Sequence, residues 1–431
     1  MCGAAAFTLS IASCATEPES VLLQRDTVNA DLTDPIVFFA IGDTAQLIIT
    51  VYANGRTSRP SMTDVEWEIS GAHTVLVDSS RLLRTVGFGQ STVRARVRGT
   101  PSNALEIRVA RFVELGMGVW TVCGRTDIAG NYCWGAGQNG LLGTGASRVD
   151  ATRPVAASAT AGLRGIVVGG THACGLDQDG FAFCWGEGGY LGTGDWTASA
   201  QPLRVHAPAF QRLTAGRRHT CGLTSDGDVY CWGRPDPEIL EPERVGGGIK
   251  FVTMDAGEGF TCGLTAEGVG YCWGANQWEG NLGTGSTTVE WVSEPVALAT
   301  EAIFKSIGAG FFVGCALATD GLPHCWGGNF TPVPTSVFPY EGYSTLEVGG
   351  GYSCALDMDG HVYCANNDPV NPAFVSLPGE ARFWFLTAGL NTICGVTAQD
   401  VRCWGYNGSG TLGIGSNRSF STSEPLRVAR P

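Results

Sequence analysis

Lysine is almost missing from this sequence: 431 residues contain two, Lys250 and Lys305. Charged residues of all kinds make up 16% of the chain, and the formal net charge is −13. A chain so poor in basic side chains is a poor candidate for nucleic acid or an anionic membrane surface, because Lys and Arg supply most phosphate contacts. The acidity reads as a solubility device. Long stretches with apolar residues at helical spacing are also lacking, which argues against helical domains. Catalytic signatures are missing as well: no Gly-x-Ser-x-Gly elbow, no His-Glu-x-x-His, no P-loop and no Rossmann fingerprint. The six histidines are scattered. The expectation is therefore a protein that is not an enzyme and uses no cofactor or metal.

What the sequence does hold is glycine and cysteine, 62 and 16 residues. Beyond residue 111 the cysteines fall in pairs: Cys123/Cys133, Cys174/Cys184, Cys221/Cys231, Cys262/Cys272, Cys315/Cys325, Cys354/Cys364 and Cys394/Cys403. A glycine stands five residues before each first cysteine: Gly118, Gly169, Gly216, Gly257, Gly310, Gly349 and Gly389. Cys123 to Cys394 is 271 residues in six steps, a period of about 45, which belongs to propellers or solenoids. Zinc sites favour gaps of about two to four residues between ligands. Nine residues separate most partners here, so the pairs read as disulfides and place the chain in an oxidising compartment.

The spacing also fixes a hairpin. Facing Cys174 with Cys184 brings Gly175 opposite Phe183, Leu176 opposite Ala182 and Asp177 opposite Phe181, leaving the loop Gln178-Asp179-Gly180. A three-residue loop ending in glycine is a type I turn with a glycine bulge. Asp226-Gly227, Glu267-Gly268, Asp320-Gly321 and Asp359-Gly360 occupy the same place. The cysteines then form a non-hydrogen-bonded pair with Cα atoms about 4.5 Å apart, close enough for a disulfide. Cys394 and Cys403 enclose one residue fewer, and a two-residue loop, Ala398-Gln399, restores the parity; in the first pair Gly130 comes one place late. Since no disulfide ties one repeat to the next, ring closure is expected from strand pairing between Phe112-Val113 and the tail Pro425-Leu426-Arg427-Val428. His172 and His219 stand where Phe260 and Tyr352 stand in other repeats, which marks a packing position. Asp177-Gln178-Asp179-Gly180 and Asp357-Met358-Asp359-Gly360 look like calcium-loop fragments, but they lack the further carboxylates and read as hairpin turns.

Trp-Gly recurs at Trp134, Trp185, Trp232, Trp273, Trp326 and Trp404, followed in four repeats by Leu-Gly-x-Gly at Leu142, Leu191, Leu282 and Leu412. A Pro-to-Val strand begins near Pro154, Pro202, Pro242, Pro295 and Pro425. These motifs resemble the repeats of the regulator of chromosome condensation family, over roughly 320 residues. The resemblance implies a seven-bladed β-propeller over 111–431. The sixth repeat departs, with Ala365-Asn366 in place of Trp-Gly. Intervals after the third, fifth and sixth repeats are short (41, 39 and 40 residues against 51, 47 and 53), so one equivalent loop varies in length and the long versions should share a side. Those loops carry Tyr190, Trp196, Trp278, Trp291, Tyr406 and Asn407, the candidate partner-binding residues.

Ahead of the repeats lie two other segments. Residues 1–19 begin MCGAAAFTLSIASC, and the ending Ile-Ala-Ser-Cys resembles a bacterial lipobox, which implies cleavage before Cys14, lipidation of that cysteine and a short tether. The apolar run is too short to cross a bilayer, and no Lys or Arg precedes Cys14 as a secretory leader would have. Residues 20–110 alternate apolar and charged side chains in Val65–Ile69, Val93–Arg98 and Leu105–Val109, the pattern of half-buried antiparallel strands. Ile41-Gly42-Asp43, Val65-Glu66-Trp67 and Gly87-Phe88-Gly89-Gln90-Ser91-Thr92-Val93 resemble group 2 bacterial Ig-like domains, which implies a small β-sandwich acting as a spacer. Trp67 reads as a core residue, and Arg94, Arg96 and Arg98 as a solvated strand face.

The fold class expected is thus all-β: a seven-bladed β-propeller with an N-terminal Ig-like β-sandwich. The function expected is an exported, surface-anchored or secreted binding module for a protein or glycan, reaching the membrane only through a lipid anchor. Nucleotide exchange on a small GTPase is implied by the founder of the repeat family; export, acidity and disulfides weigh against it. An envelope structural protein and an enzyme built on propeller loops are the other readings.

Overall fold

The structure, a computed structural model, describes residues 20–25, 35–53, 56–71, 73–147, 150–235, 238–277, 280–328, 330–336, 342–366, 374–377 and 379–431. Cys14, Trp278 and the Asn54-Gly55 turn lie outside them. The chain divides into two units, Met1–Val109 and Ala110–Pro431.

In the first unit the period-two alternation dictates the layering. Leu105, Ile107 and Val109 of the strand Leu105–Val109 turn inward, while Glu106 and Arg108 pair with each other at 2.7 Å outside. Val93, Ala95 and Val97 do the same in Gly89–Val97, where Arg96 meets Glu68 at 2.6 Å and Arg98 meets Asp64 at 2.8 Å. Exposed pairs of this kind add little stability. Two five-stranded sheets result. Leu23, Leu47, Ile49 and Leu83 from one share a core with Phe38, Val93 and Ile107 from the other, and Trp67 packs partly buried against it.

Among the described residues the second unit holds seven four-stranded antiparallel sheets, each from one continuous stretch of chain, with a two-stranded ribbon set between the third and fourth strands of the third sheet. Their first strands are Phe112–Met117, Arg164–Val168, Arg212–Ala215, Thr253–Ala256, Phe304–Ala309, Tyr343–Val348 and Phe383–Ala388. Each touches the first strand of the next sheet, and the seventh touches the first, so the sheets form a closed ring. The glycine that precedes each cysteine pair sits just past the end of its first strand. A Cβ on any of the seven would lie 2.0–2.7 Å from the carbonyl oxygen of the corresponding glycine in the next sheet, all the way around from Gly118 to Gly389 and back. Only a residue without a side chain permits that approach.

The strand pairing anticipated for ring closure does not occur. Ser421–Arg427 pairs with Val401–Tyr406 inside the seventh sheet, and Phe112–Met117 with Thr121–Thr126 inside the first. Every repeat starts on its own inner strand and supplies all four strands, so the tail finds no vacant place in the first sheet. Closure rests instead on the glycine contacts and on the last loop, where Gly415 N–H donates to the Thr152 carbonyl (2.7 Å) and Trp134 Nε1 to the Thr411 carbonyl (2.9 Å).

Within each sheet the second and third strands form the oxidised hairpin in the register read from the spacing. Cys174 faces Cys184, Gly175 faces Phe183 and Leu176 faces Ala182. Asp177 N–H donates to the Phe181 carbonyl (3.0 Å), and Gly180 takes φ +87° in the turn. In the last hairpin Val396 faces Val401, and Thr397 N–H donates to the Asp400 carbonyl (2.9 Å), leaving the two-residue loop. The first hairpin keeps the common register, with Thr126 N–H on the Gly130 carbonyl at 2.9 Å. All seven pairs are disulfides with Cα atoms 4.0–4.1 Å apart, which indicates an oxidising environment. The hairpins also hold the ring: Gly180, Gly227, Gly268 and Gly360 carbonyls accept from the N–H of Phe210, Phe251, Phe304 and Phe383 at the next inner strand, at 2.7–2.9 Å. Among the described residues no helix is long and apolar enough to cross a membrane.

Two outcomes follow. Gly257→Ala forces its Cβ within 2.0 Å of the Gly310 carbonyl and should cost about 3 kcal/mol, whereas Gly259→Ala, whose nearest neighbour is Ala275 Cβ at 3.4 Å, should melt close to the parent. Thermal melts of the two variants decide this. Peptide mapping without reduction should recover each hairpin as one cross-linked fragment; a bridge between two repeats would contradict the register. By the chain-entropy estimate each bridge contributes up to about 2.7 kcal/mol.

Candidate binding face

In six of the seven sheets the third strand carries Trp-Gly near its end, and the tryptophan fills the space between sheets. Trp134, Trp185, Trp232 and Trp326 are buried to 1% exposure or less. Each is roofed by the Leu-Gly-x-Gly loop of the preceding repeat. Trp185 Nε1 donates to the Leu141 carbonyl (3.0 Å), Trp326 Nε1 to Asn281 (3.1 Å) and Trp134 Nε1 to Thr411 (2.9 Å). In these three the acceptor is the residue just before the loop leucine. The leucines, Leu142, Leu191, Leu282 and Leu412, are themselves buried. The first glycine of the motif lies against the indole: Gly283, at φ +68°, has space for no Cβ, since one would come within 2.8 Å of Trp326. The motif is thus a lid for the neighbouring sheet, and the loops share one side of the ring because all leave from the same strand end.

Where the lid is missing, a cleft adjoins the tryptophan, which itself stays largely buried, Trp273 and Trp404 each being 4% exposed. The third repeat has no Leu-Gly-x-Gly, and above Trp273 of the fourth sheet lies a cleft of about 310 Å³ bordered by Trp232, Ile239, Val245, Phe260 and Trp291. The sixth repeat has none either, and above Trp404 lies a cleft of about 510 Å³ bordered by Tyr352, Leu377, Asn391, Ile393 and Tyr406. The fifth repeat also lacks the loop, but the sixth sheet carries Ala365 where the tryptophan would stand, so there is no indole to roof. Ala365 simply pairs with Phe374.

The residues singled out from the sequence fall in different places. Trp291 pairs with Ala275 across its sheet, is 38% exposed and lines the Trp273 cleft. Tyr406 lines the Trp404 cleft. Trp196 is half exposed, with its ring over Gly189. Tyr190 packs on His172 with ring centres 5.6 Å apart. Asn407 departs from the expectation of an exposed contact residue: it is fully buried, its Nδ2 donates to the Ser416 and Arg418 carbonyls, and its Oδ1 accepts from Leu412 N–H. A primary amide can satisfy three backbone groups at once, and the long loop needs that clamp, as Asn276 provides it for the fourth repeat. Sequence reasoning missed the clefts themselves, although the missing Leu-Gly-x-Gly was in view; nothing in one repeat says that its loop covers the next.

His172 is fully buried, with Nε2 on Thr220 Oγ1 at 2.8 Å. Burial, aided by the charge of His219, lowers its pKa to about 3, so it stays neutral. His219 repeats the contact on Thr261 at 2.9 Å, and Phe260 is buried in the same position, but Tyr352 is 43% exposed at the rim of a cleft. Asp177 and Asp357 spend a carboxylate oxygen on turn N–H groups of Asp179 and Phe181, and of Asp359 and His361. No cluster of three or more His, Cys, Asp or Glu is placed to hold a metal among the described residues.

The middle of the ring is polar. Asp255 accepts Thr214 Oγ1 and Ala309 N–H, both at 2.9 Å, and Arg212 donates to Thr253 Oγ1 at 2.8 Å. Burial raises the pKa of Asp255. Glu347 is pushed up to about 8 by burial and by the Asp255 charge, against the opposing pull of Arg212.

The residues 210–236 match the family model described as the regulator of chromosome condensation (RCC1) repeat. Among solved structures, Prp20p of Saccharomyces cerevisiae is similar at 20% identity and TM-score 0.60, over 69% of this chain and 85% of that one. Yeast RCC1 (Prp20) in its complex with Kap60 gives 21% identity and TM-score 0.61, over 69% and 83%. Human WBSCR16 gives 16% and 0.59, over 70% and 91%. No curated protein matches the chain. These likenesses establish an all-β, RCC1-like propeller fold and leave its use open.

Glu347 supplies a pH test. Its folded pKa lies above the unfolded value, so the folded state holds a proton that the unfolded chain has lost between about pH 4.5 and 8. Stability from this group is present below that window and falls as pH rises through it. Glu347→Gln should therefore melt above the parent at pH 8, with the difference shrinking towards pH 5 in thermal melts at both pH values.

Proposed function

We propose that the chain is an exported binding module, in which a seven-bladed RCC1-type propeller presents its loop face to a protein partner and an Ig-like sandwich serves as spacer. The observation that carries this reading is the pair of aromatic clefts on that face, beside Trp291 and Tyr406. Rigid aromatic anchors around desolvated pockets are what protein interfaces use for affinity. The disulfides agree with an extracellular or envelope setting, and Cys14 is proposed as the lipid anchor. Prp20p, a similar fold, is described with binding properties towards Gsp1p and histones, and yeast RCC1 with Kap60 bound; both support protein rather than glycan. No catalytic role is proposed, and nothing beyond the fold favours nucleotide exchange.

The test is capture of a partner from envelope and culture fractions by the purified chain, followed by Trp291→Ala, Trp196→Ala and Tyr406→Ala variants. Loss of about tenfold or more in affinity is expected from at least one, with Trp384→Ala, exposed on the first strand of the seventh sheet, leaving capture intact. Equal retention by all three loop variants would retire the face. Palmitate labelling that vanishes in Cys14→Ser would support the anchor, and labelling that never appears would remove it.

A further inference from the structure

Four of the ring's tryptophans are roofed by a piece of this chain, and that piece describes what an unroofed tryptophan is shaped to receive. The roof has two elements. One is a backbone carbonyl on the indole N–H, seen for Trp134, Trp185 and Trp326. The other is a leucine buried between the sheets, followed by a glycine that lets the backbone lie flat on the ring. Trp232 has the glycine element, since a Cβ on Gly192 would come within 2.7 Å of its ring, and a buried N–H without an acceptor.

Trp273 keeps its sheet position and its packing on Phe251, with ring centres 5.4 Å apart, but has neither element. Trp273 is 4% exposed, and among the described residues its Nε1 makes no hydrogen bond and is not sealed from solvent. The N–H therefore opens into the cleft. The preceding connection runs aside as a two-stranded ribbon, Arg234–Pro235 with Glu238–Ile239, and contributes Ile239 as a wall. The Cys231 sulfur side of the third hairpin, which a loop leucine would cover, is partly exposed in the same cleft, whereas Cys133, Cys184, Cys272 and Cys325 are fully buried. Glu243, Arg244 and Glu294 form a polar rim. For Trp404 the connection that would roof it, 367–373, lies outside the described residues, so Trp273 carries the inference.

We propose that the Trp273 cleft is a peptide-binding site for a glycine-containing turn of a partner protein. The turn presents a backbone carbonyl to Trp273 Nε1 and inserts a leucine-sized aliphatic side chain beside Cys231, in the manner of this chain's own x-Leu-Gly-x-Gly lids. The inference rests on the binding-face reading and names its ligand chemistry. A partner loop of this kind exchanges the open edge of an indole for the environment that three sister indoles already have. The glycine requirement excludes bulky turns, because a Cβ at the equivalent of Gly283 collides with the ring.

The probe is the chain's own lid, the heptapeptide Gly280–Ser286 (GNLGTGS), titrated to millimolar concentration into the 15N-labelled full chain while the indole N–H signals are followed. Trp273→Phe assigns the signal. The expected result is a saturating shift of the Trp273 resonance, with Trp134, Trp185 and Trp326 unmoved, and a peptide carrying Leu282→Ala binding about tenfold or more weakly, the loss of one buried leucine. Because a free heptapeptide binds weakly, a second variant grafts the same seven residues between Gly233 and Arg244 in place of the ribbon. Tethering raises the effective concentration, and the graft should slow hydrogen exchange of the Trp273 N–H. A graft that folds, judged by unshifted Trp185 and Trp326 signals, yet leaves Trp273 exchange unchanged would overturn the proposal. So would a Trp273 shift produced by a chito- or cello-oligosaccharide and not by the peptide. Partner capture that depends on Trp291 but survives Trp273→Phe and competes with neither peptide would sink this site and leave the binding face standing; loss of face dependence with intact peptide binding would do the reverse.

Discussion

Seven backbones meet at the centre of the ring at distances that no side chain allows. The contact between each central glycine and the carbonyl of the next sets the radius at which the inner strands pack, and with it the separation of neighbouring sheets. That separation is what the tryptophans fill and what the Leu-Gly-x-Gly lids close. The disulfides do a different job: each stitches a hairpin that is already local, so they stiffen the sheets individually and leave the angle between sheets to packing. Ring closure therefore depends on shape, on a repeated glycine and a repeated wedge, and on the final loop settling over the first sheet.

A lid that belongs to one repeat and roofs the next makes the loop face a record of its neighbours. Repeats with the motif present a sealed surface, and the third and sixth, without it, leave a cleft beside the neighbouring indole. Variation in loop length therefore changes the chemistry of the adjoining sheet more than that of its own. The polar centre of the ring obeys a different rule, since Asp255, Glu347 and Arg212 come from three sheets and feel one another across the axis. The raised pKa values of Asp255 and Glu347 are a consequence of ring geometry and of no single repeat.

Much of the second unit was legible from spacing. Cys174 and Cys184 fix their hairpin because antiparallel pairing has a two-residue period, and one misplaced residue would turn a sulfur to the wrong face. The shortened last hairpin obeyed the same parity. The paired strand expected between Phe112 and Pro425 was not found, because a tally of repeats does not reveal where each begins on the ring. Asn407 looked like a surface residue by its place in a long loop and proved to be the loop's internal clamp. Trp291 and Tyr406 were named as exposed aromatics, but the indoles they flank were counted only as motif.

The amino-acid sequence by itself determined the all-β class, the hairpin registers and the disulfide partners. Each of these is local, decided by the alternation of a strand or by residues within about a dozen positions of one another. Only the tertiary structure decided which tryptophan each loop roofs, how the ring closes and where it stays open. Those contacts join residues one repeat apart, or, for Trp134 and Thr411, the two ends of the ring. A pattern repeated with the same period everywhere carries no information about which copy touches which.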